Sequence, residues 1–317
     1  MMQNEPANEE TSGVNASLLL KAGTPDKLDS ALAEFKKLVN RSPDNPIWHY
    51  NLGLTYLAKK NPEAARAQFE EAIRLKRDYV PPRLALADMS LERNLYQGTL
   101  RYANEALALR PNLPKAMLYR SAGLMGMGNY SEARAQLELL EPVSPGDREA
   151  QLQFALLELA EKRDKDAEEH FRKIYDGYQR DPQALSGIIK TYTAEGHRDV
   201  AYRFLSDESR KAPYSEAAHL LLADVALSLT KYEVALDEYL HLLERHPKSA
   251  DLHVRLASAY RAKHDDAKAI ASLQTALQLN RHEPGAAALL ASLLEESGRK
   301  LEAMLLTGSL WLQSPTT

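Results

Sequence analysis

An all-α solenoid of nine 34-residue helix-turn-helix repeats is the fold this sequence predicts, and three observations carry that reading. The stretch at 47–75, IWHYNLGLTYLAKKNPEAARAQFEEAIRL, reads as two short amphipathic helices joined by a turn at Lys60-Asn61. Pro62 opens the second helix, where its missing N–H costs nothing. Degenerate copies of that stretch begin at 12, 46, 80, 114, 148, 182, 216, 250 and 284, with no insertion between them. Finally, Ala31, Ala65, Ala133, Ala167, Ala201, Ala235, Ala269 and Ala303 fall in one column, broken only by Thr99. A minimal side chain at one recurring place means that two helices cross closely there.

A second small column, in the first helix of each repeat, supplies the other side of the crossing: Gly53, Ala87, Ser121, Ala155, Ala223, Ala257 and Ala291, from which Leu19 and Ile189 depart. Four residues after the alanines stands a larger column, Phe35, Phe69, Leu137, Phe171, Leu205, Tyr239 and Leu273, with Ala103 and Thr307 as exceptions. Small then large, one helical turn apart, is a hole beside a knob. Pro43, Pro111, Pro145, Pro213, Pro247 and Pro315 close six repeats, because proline cannot continue a helix.

The array Trp48, Leu52-Gly53, Tyr56, Ala65, Phe69, Ala72 resembles the pattern of the tetratricopeptide repeat family, and the resemblance spans 12–317. It implies a right-handed superhelix of helix pairs whose usual role is to bind proteins or peptides, catalysis being unusual for the repeats themselves. A solenoid grows by addition, so 12–317 reads as one elongated domain.

Taken in order, residues 1–11 (MMQNEPANEET) are acidic and without period, which predicts a disordered tail with no basic or apolar leader region. The first repeat is worn: Leu18-Leu19-Leu20 forms a short first helix, Gly23-Thr24-Pro25 breaks it, and the whole looks like an N-terminal cap. Repeats two to four are clear, with Pro142 predicted to shorten the second helix of repeat four by about a turn. The first helix of repeat five, LQFALLELA, is apolar almost all round and should be buried on more than one side. Repeat six carries Gly187 inside its first helix and Glu208 where repeats two, three and eight have alanine, so the array should be softest near 186–212. In repeat nine, Met304, Leu305, Leu306, Leu310, Trp311 and Leu312 leave few polar positions, although a terminal repeat normally turns a polar face to water. That end is expected to contact another copy, another chain or a continuation of this one, the competing reading being an ordinary core face with two extra leucines.

Composition removes several classes of function. With no cysteine there is no disulfide framework and no thiolate ligand or nucleophile, and the redox compartment is left open. A net charge of −4, from 40 basic and 44 acidic residues without a basic run, argues against nucleic acid. No stretch approaches the roughly 20 apolar residues of a membrane span. A cytoplasmic location is expected, or an extracytoplasmic one if a leader preceded the doubled Met.

The chemistry-bearing motifs are sparse. Nine histidines are scattered, His241 and His246 are five apart and off one another's helical face, and no metal site or cofactor is expected. Gly123-Leu-Met-Gly126-Met-Gly128 has the wrong order for a phosphate loop and no preceding strand; Gly128 is better read as an interhelical turn, in phase with Gly196 and Gly298. No catalytic residue stands out, and the chain is not expected to be an enzyme.

What remains is the surface that, by the resemblance, the first helices present to a concave groove. Helical steps of three and four opposite Leu52, Gly53 and Tyr56 select Ile47, Tyr50, Leu54 and Leu57, then Leu84, Asp88 and Leu91, then Lys115, Leu118 and Met125, then Leu152, Leu156 and Leu159. These make repeats two to five an apolar half with sparse charge, expected to expose a large patch and to receive an amphipathic helix or extended segment of another protein. Lateral burial between neighbouring first helices is the competing reading of the same stripe. Repeats six to eight give a polar half of mixed sign, including Lys190, Asp224, Asp251 and Arg261. A subset of the family grips C-terminal carboxylates with Lys and Asn side chains; here Asn51 is present but Ala16 and Leu20 stand where Lys and Asn belong, so that clamp is not expected. The alternative function is a spacer or substrate-holding module of a larger enzyme, secretion or polysaccharide-export assembly, with self-association through repeat nine as a third reading.

Overall fold

The computed structural model describes residues 5–281, 283 and 285–311, with side chains described for 9–281, 283 and 285–306. Among these residues there are eighteen helices and no strand. They are α1 (Glu5–Ala22), α2 (Pro25–Arg41), α3 (Pro46–Ala58), α4 (Pro62–Leu75), α5 (Val80–Glu92), α6 (Tyr96–Leu109), α7 (Pro114–Gly126), α8 (Tyr130–Leu140) and α9 (Arg148–Ala160). There follow α10 (Asp164–Gly177), α11 (Pro182–Ala194), α12 (Arg198–Lys211), α13 (Glu216–Ser228), α14 (Tyr232–Arg245), α15 (Ala250–Ala262), α16 (Asp266–Leu279), α17 (Ala286–Glu296) and α18 (Lys300–Trp311). Odd and even helices are the first and second helices of the predicted repeats. The chain divides into two compact units, residues 1–163 holding α1–α9 and residues 164–317 holding α10–α18. The division falls between the two helices of the fifth repeat.

The register follows the small columns. All eight alanines of the recurring column, and Thr99 with them, are fully buried, as are Phe35, Phe69, Leu137, Phe171, Leu205, Tyr239 and Leu273 one turn on. Burying each of the larger side chains contributes about 1.5–3 kcal/mol. At Gly53 the crossing is so close that a Cβ would lie 2.5 Å from Cε1 of Phe69. In the second unit Gly187 plays a comparable part, its missing Cβ making room for the ring of Phe171, which explains a glycine inside α11.

Turns repeat as strictly as helices do. The fifteenth residue of repeats two to nine, Lys60, Asn94, Gly128, Lys162, Gly196, Thr230, His264 and Gly298, is left-handed in every case, with φ between 56° and 80°. The next residue's N–H then reaches back to the carbonyl five residues earlier, as from Asn61 to Tyr56 at 2.9 Å, Lys231 to Ala226 at 2.9 Å and Arg299 to Leu294 at 2.7 Å. This is the Schellman closure, which satisfies carbonyls that the helix end would orphan. Only three of the eight are glycine, so the closure holds even where a side chain resists it.

Second helices begin with capping side chains at Asn61, whose Oδ1 accepts from the Ala64 N–H, and at Asp265, which does the same for Lys268. Pro142 shortens α8 to 11 residues against 14 in α4 and α6, as its ring and missing N–H require. One expectation is corrected here. Residues 5–11, read as part of a tail, belong to α1, whose Glu9 carboxylate accepts the Ser42 hydroxyl at 2.9 Å; an acidic helix start favours the helix dipole without any periodicity to announce it. In repeat six, Glu208 is a satisfied buried acid, accepting from Tyr175 Oη at 2.6 Å and from Lys211 Nζ at 3.2 Å.

Neighbouring repeats are also tied by charge. A cation at the fourteenth position reaches the acid at the eighteenth of the repeat before: Lys59 to Asp29, Arg93 to Glu63 at 2.9 Å, and Lys263 to Glu233 at 2.6 Å. These pairs are exposed on one or both sides, where such contacts contribute about 0–1 kcal/mol each and serve register more than stability.

Candidate binding face

The candidate surface in the first unit is the row of side chains on α3, α5, α7 and α9 that the helical spacing selects. Ile47 and Leu156 are its most exposed apolar members, at 48% and 38%, and Asp88 and Lys115 are its exposed charges. Tyr50, Leu54, Leu57, Leu84, Leu91, Leu118, Met125 and Leu159 are half-buried. Tyr50, Leu54, Leu57, Leu84 and Leu91 pack on the core of Ala65, Phe69, Leu86 and Tyr102, and Leu118 and Met125 on that of Leu124, Leu137 and Leu157.

The single large exposed patch expected from the sequence is therefore corrected to a shallower, partly closed surface, because α5, α7 and α9 touch in succession and cover one another's flanks. Leu152 leaves the set altogether: it is 3% exposed, since α9 buries residues on most of its circumference.

Two aromatic residues organise this face. The Tyr50 ring sits 5.7 Å from the rings of both Phe69 and Tyr79, tilted on the first and edge-on to the second, and burial pushes its phenol above the ordinary range. Tyr119, on α7, is the point where the two charges meet. Burial and then the hydrogen bond to Asp88 raise its phenol far above normal, while the Lys115 ammonium lies 5.6 Å from its ring centroid. Sequence spacing named Asp88 and Lys115 but not Tyr119, which lies one step further along the first helix and reaches back across the junction.

In the second unit the first helices carry a chain of charge pairs. Asp224 accepts from Tyr239 Oη at 2.5 Å and from Arg255 at 3.0 Å, and Arg255 also donates to Asp251 at 2.8 Å. Burial works against the Arg255 charge, but the Asp251 and Asp224 carboxylates outweigh it and hold the guanidinium protonated beyond its usual range. Arg261 pairs with Glu296 at 3.0 Å. The mixed-sign half is thus largely neutralised within itself.

At the end of the array, Met304 and Leu305 are exposed as expected, while Leu306 turns inward and packs against the core of Leu290, Leu293 and Leu294. Leu301, which the sequence reading passed over, is the most exposed of the group at 71%. The side chains of Leu310, Trp311 and Leu312 lie outside the described residues. Among the described residues, no three His, Asp or Glu side chains gather as a metal ion requires, and no helix is long and apolar enough to cross a membrane.

The family model for the tetratricopeptide repeat matches residues 17–80, 123–184 and 220–284. No curated protein matches the sequence. Among solved structures, the yeast Tom70 superposes with a TM-score of 0.69 at 16% identity, over 98% of this chain and 68% of its own. A tetratricopeptide repeat protein from Parabacteroides merdae superposes with a TM-score of 0.62 at 16% identity, over 90% of this chain and 98% of its own. PilW, a type IV pilus biogenesis factor, gives 0.57 at 20% identity, over 67% of this chain and 98% of its own. At these identities the likeness concerns the fold.

Proposed function

Because this chain belongs to the tetratricopeptide repeat family, we propose that it is a non-catalytic scaffold that holds a peptide or amphipathic helix of another protein against α3, α5, α7 and α9. The observation that carries this reading is the row from Ile47 to Leu156, which stays apolar and partly open after the helix pairs have satisfied their own cores. A side chain that keeps part of its surface in water can still gain by burial, whereas one already enclosed, such as Leu152, has little left to contribute. A specific docking would bury roughly 1,200–2,000 Å² in total. Asp88 and Lys115, both drawn toward Tyr119, would set the register of the incoming segment through its polar groups.

The test is affinity capture from native lysate with the Leu54→Asp, Leu156→Asp double variant beside wild type, the fold being checked by circular dichroism. Loss of the captured protein with helicity intact is expected. Equal capture by both would remove the assignment. A second reading, association through α18, is favoured by the exposure of Leu301, Met304 and Leu305 on adjacent turns. Sedimentation that shows only monomer at high concentration would exclude a second copy as the occupant of that face.

A further inference from the structure

In the second unit an open groove of about 660 Å³ runs between α14 and α16, floored by α15. That is within the range of roughly 300–1,000 Å³ usual for ligand sites. Its meaning comes from comparison with the same place in two other repeats. In repeat two, His49 lies with Nδ1 2.8 Å from Oε1 of Gln68 and Nε2 2.8 Å from the Pro43 carbonyl. In repeat seven, His219 lies with Nδ1 2.5 Å from Oε2 of Glu238 and Nε2 3.1 Å from the Pro213 carbonyl. Each histidine is clamped between a proline carbonyl and the Oε of a Gln or Glu on the following helix. Repeat eight keeps the proline and the histidine, as Pro247 and His253, but the third member is Ser272, whose side chain is two heavy-atom steps shorter. The His253 ring, half-buried, makes neither clamp contact, with Pro247 or with Ser272, and it lines the groove together with both.

We propose that this groove accepts a Gln or Glu side chain from another protein, whose Oε completes at His253 the contact that Gln68 and Glu238 supply from within. The surroundings suit that chemistry. Leu240, Leu243, Leu256 and Ala271 offer apolar wall to the two methylenes and to flanking apolar residues. Leu240 keeps 43% of its surface exposed. Lys268, 3.1 Å from Asp265, lies at one rim and Glu244 at the other, so charges of both signs border the groove. This site is separate from the face on α3–α9 and does not depend on that reading.

The experiment uses the full chain, isotopically labelled, and three blocked pentapeptides, acetyl-Ala-Leu-Xaa-Leu-Ala-amide with Xaa as Gln, Glu or Met. The His253 ring resonances report binding. Saturable shifts are expected with the Gln or Glu peptide, with the Met peptide at least about ten-fold weaker. Ser272→Gln, which rebuilds the internal clamp, and Leu240→Asp, on the exposed wall, should each weaken binding at least about ten-fold, while Ala67→Leu, at an exposed position of α4, leaves it unchanged. The relative strength of the Gln and Glu arms assigns the preferred partner group. Absence of a saturable shift, equal binding of all three peptides, or unaltered binding by a folded Leu240→Asp or Ser272→Gln variant would overturn the proposal.

Discussion

Gly53 lies against the face of Phe69 so closely that a single added carbon would sit 2.5 Å from Cε1 and 2.7 Å from Cδ1 of the ring. Phe69 is fully buried, so the ring has no free direction in which to retreat. Gly53→Ala should therefore destabilise the chain by about 1–3 kcal/mol despite alanine's better helix propensity. Gly177→Ala, at a position with nothing within 4 Å of the added carbon, is the comparison. Chemical denaturation should show the first lowered and the second unchanged or raised.

The alanine column makes a parallel prediction. Ala201 is fully buried and Ala67 exposed. Ala201→Leu should cost about 1–3 kcal/mol by overpacking, and Ala67→Leu less than about 0.5 kcal/mol. Equal shifts in the denaturation midpoint would contradict the register.

Thr230 holds φ at 59°, a left-handed conformation that crowds a β-branched side chain. Relief of that crowding is opposed by the greater freedom of glycine in the unfolded chain, and the difference favours Thr230→Gly by up to about 1 kcal/mol. The reverse exchange, Gly196→Thr, should destabilise by at least a similar amount. Thermal unfolding of the two single variants checks both signs.

Glu208 gives the chain an acid-sensitive point. Burial alone would raise its pKa, but the hydrogen bonds from Tyr175 and Lys211 and the nearby charges of Lys211 and Arg180 prevail and hold it below the usual carboxylate range. A carboxyl that binds its proton less readily when folded adds stability above its unfolded pKa, and that stability fades as pH falls through the depressed folded value. Glu208→Gln should therefore cost about 1.5–3 kcal/mol at neutral pH, and the gap to wild type should narrow on acidification. A gap independent of pH would assign the loss to packing.

The repeat register, the buried alanines and the shortened α8 were all legible in the sequence, because each rests on a local steric rule acting at a fixed interval. Leu152 was not placed correctly, since a helix that is apolar on nearly every side offers no period from which to choose a face. Tyr119 escaped for a different reason: its role is to cross from one repeat to the hydroxyl-accepting Asp88 of another, and single-helix spacing contains no such information. The helical start at Glu5 escaped because propensity and dipole, rather than amphipathicity, support it. The groove beside His253 becomes visible only when one junction is compared with two others that close the same space.

The eight left-handed bends share one closure and one length, whatever residue occupies them. Each is a self-contained joint that asks nothing of its neighbours in the chain. A pair of rods lying between two such joints can therefore be exchanged for another without altering the hinge on either side.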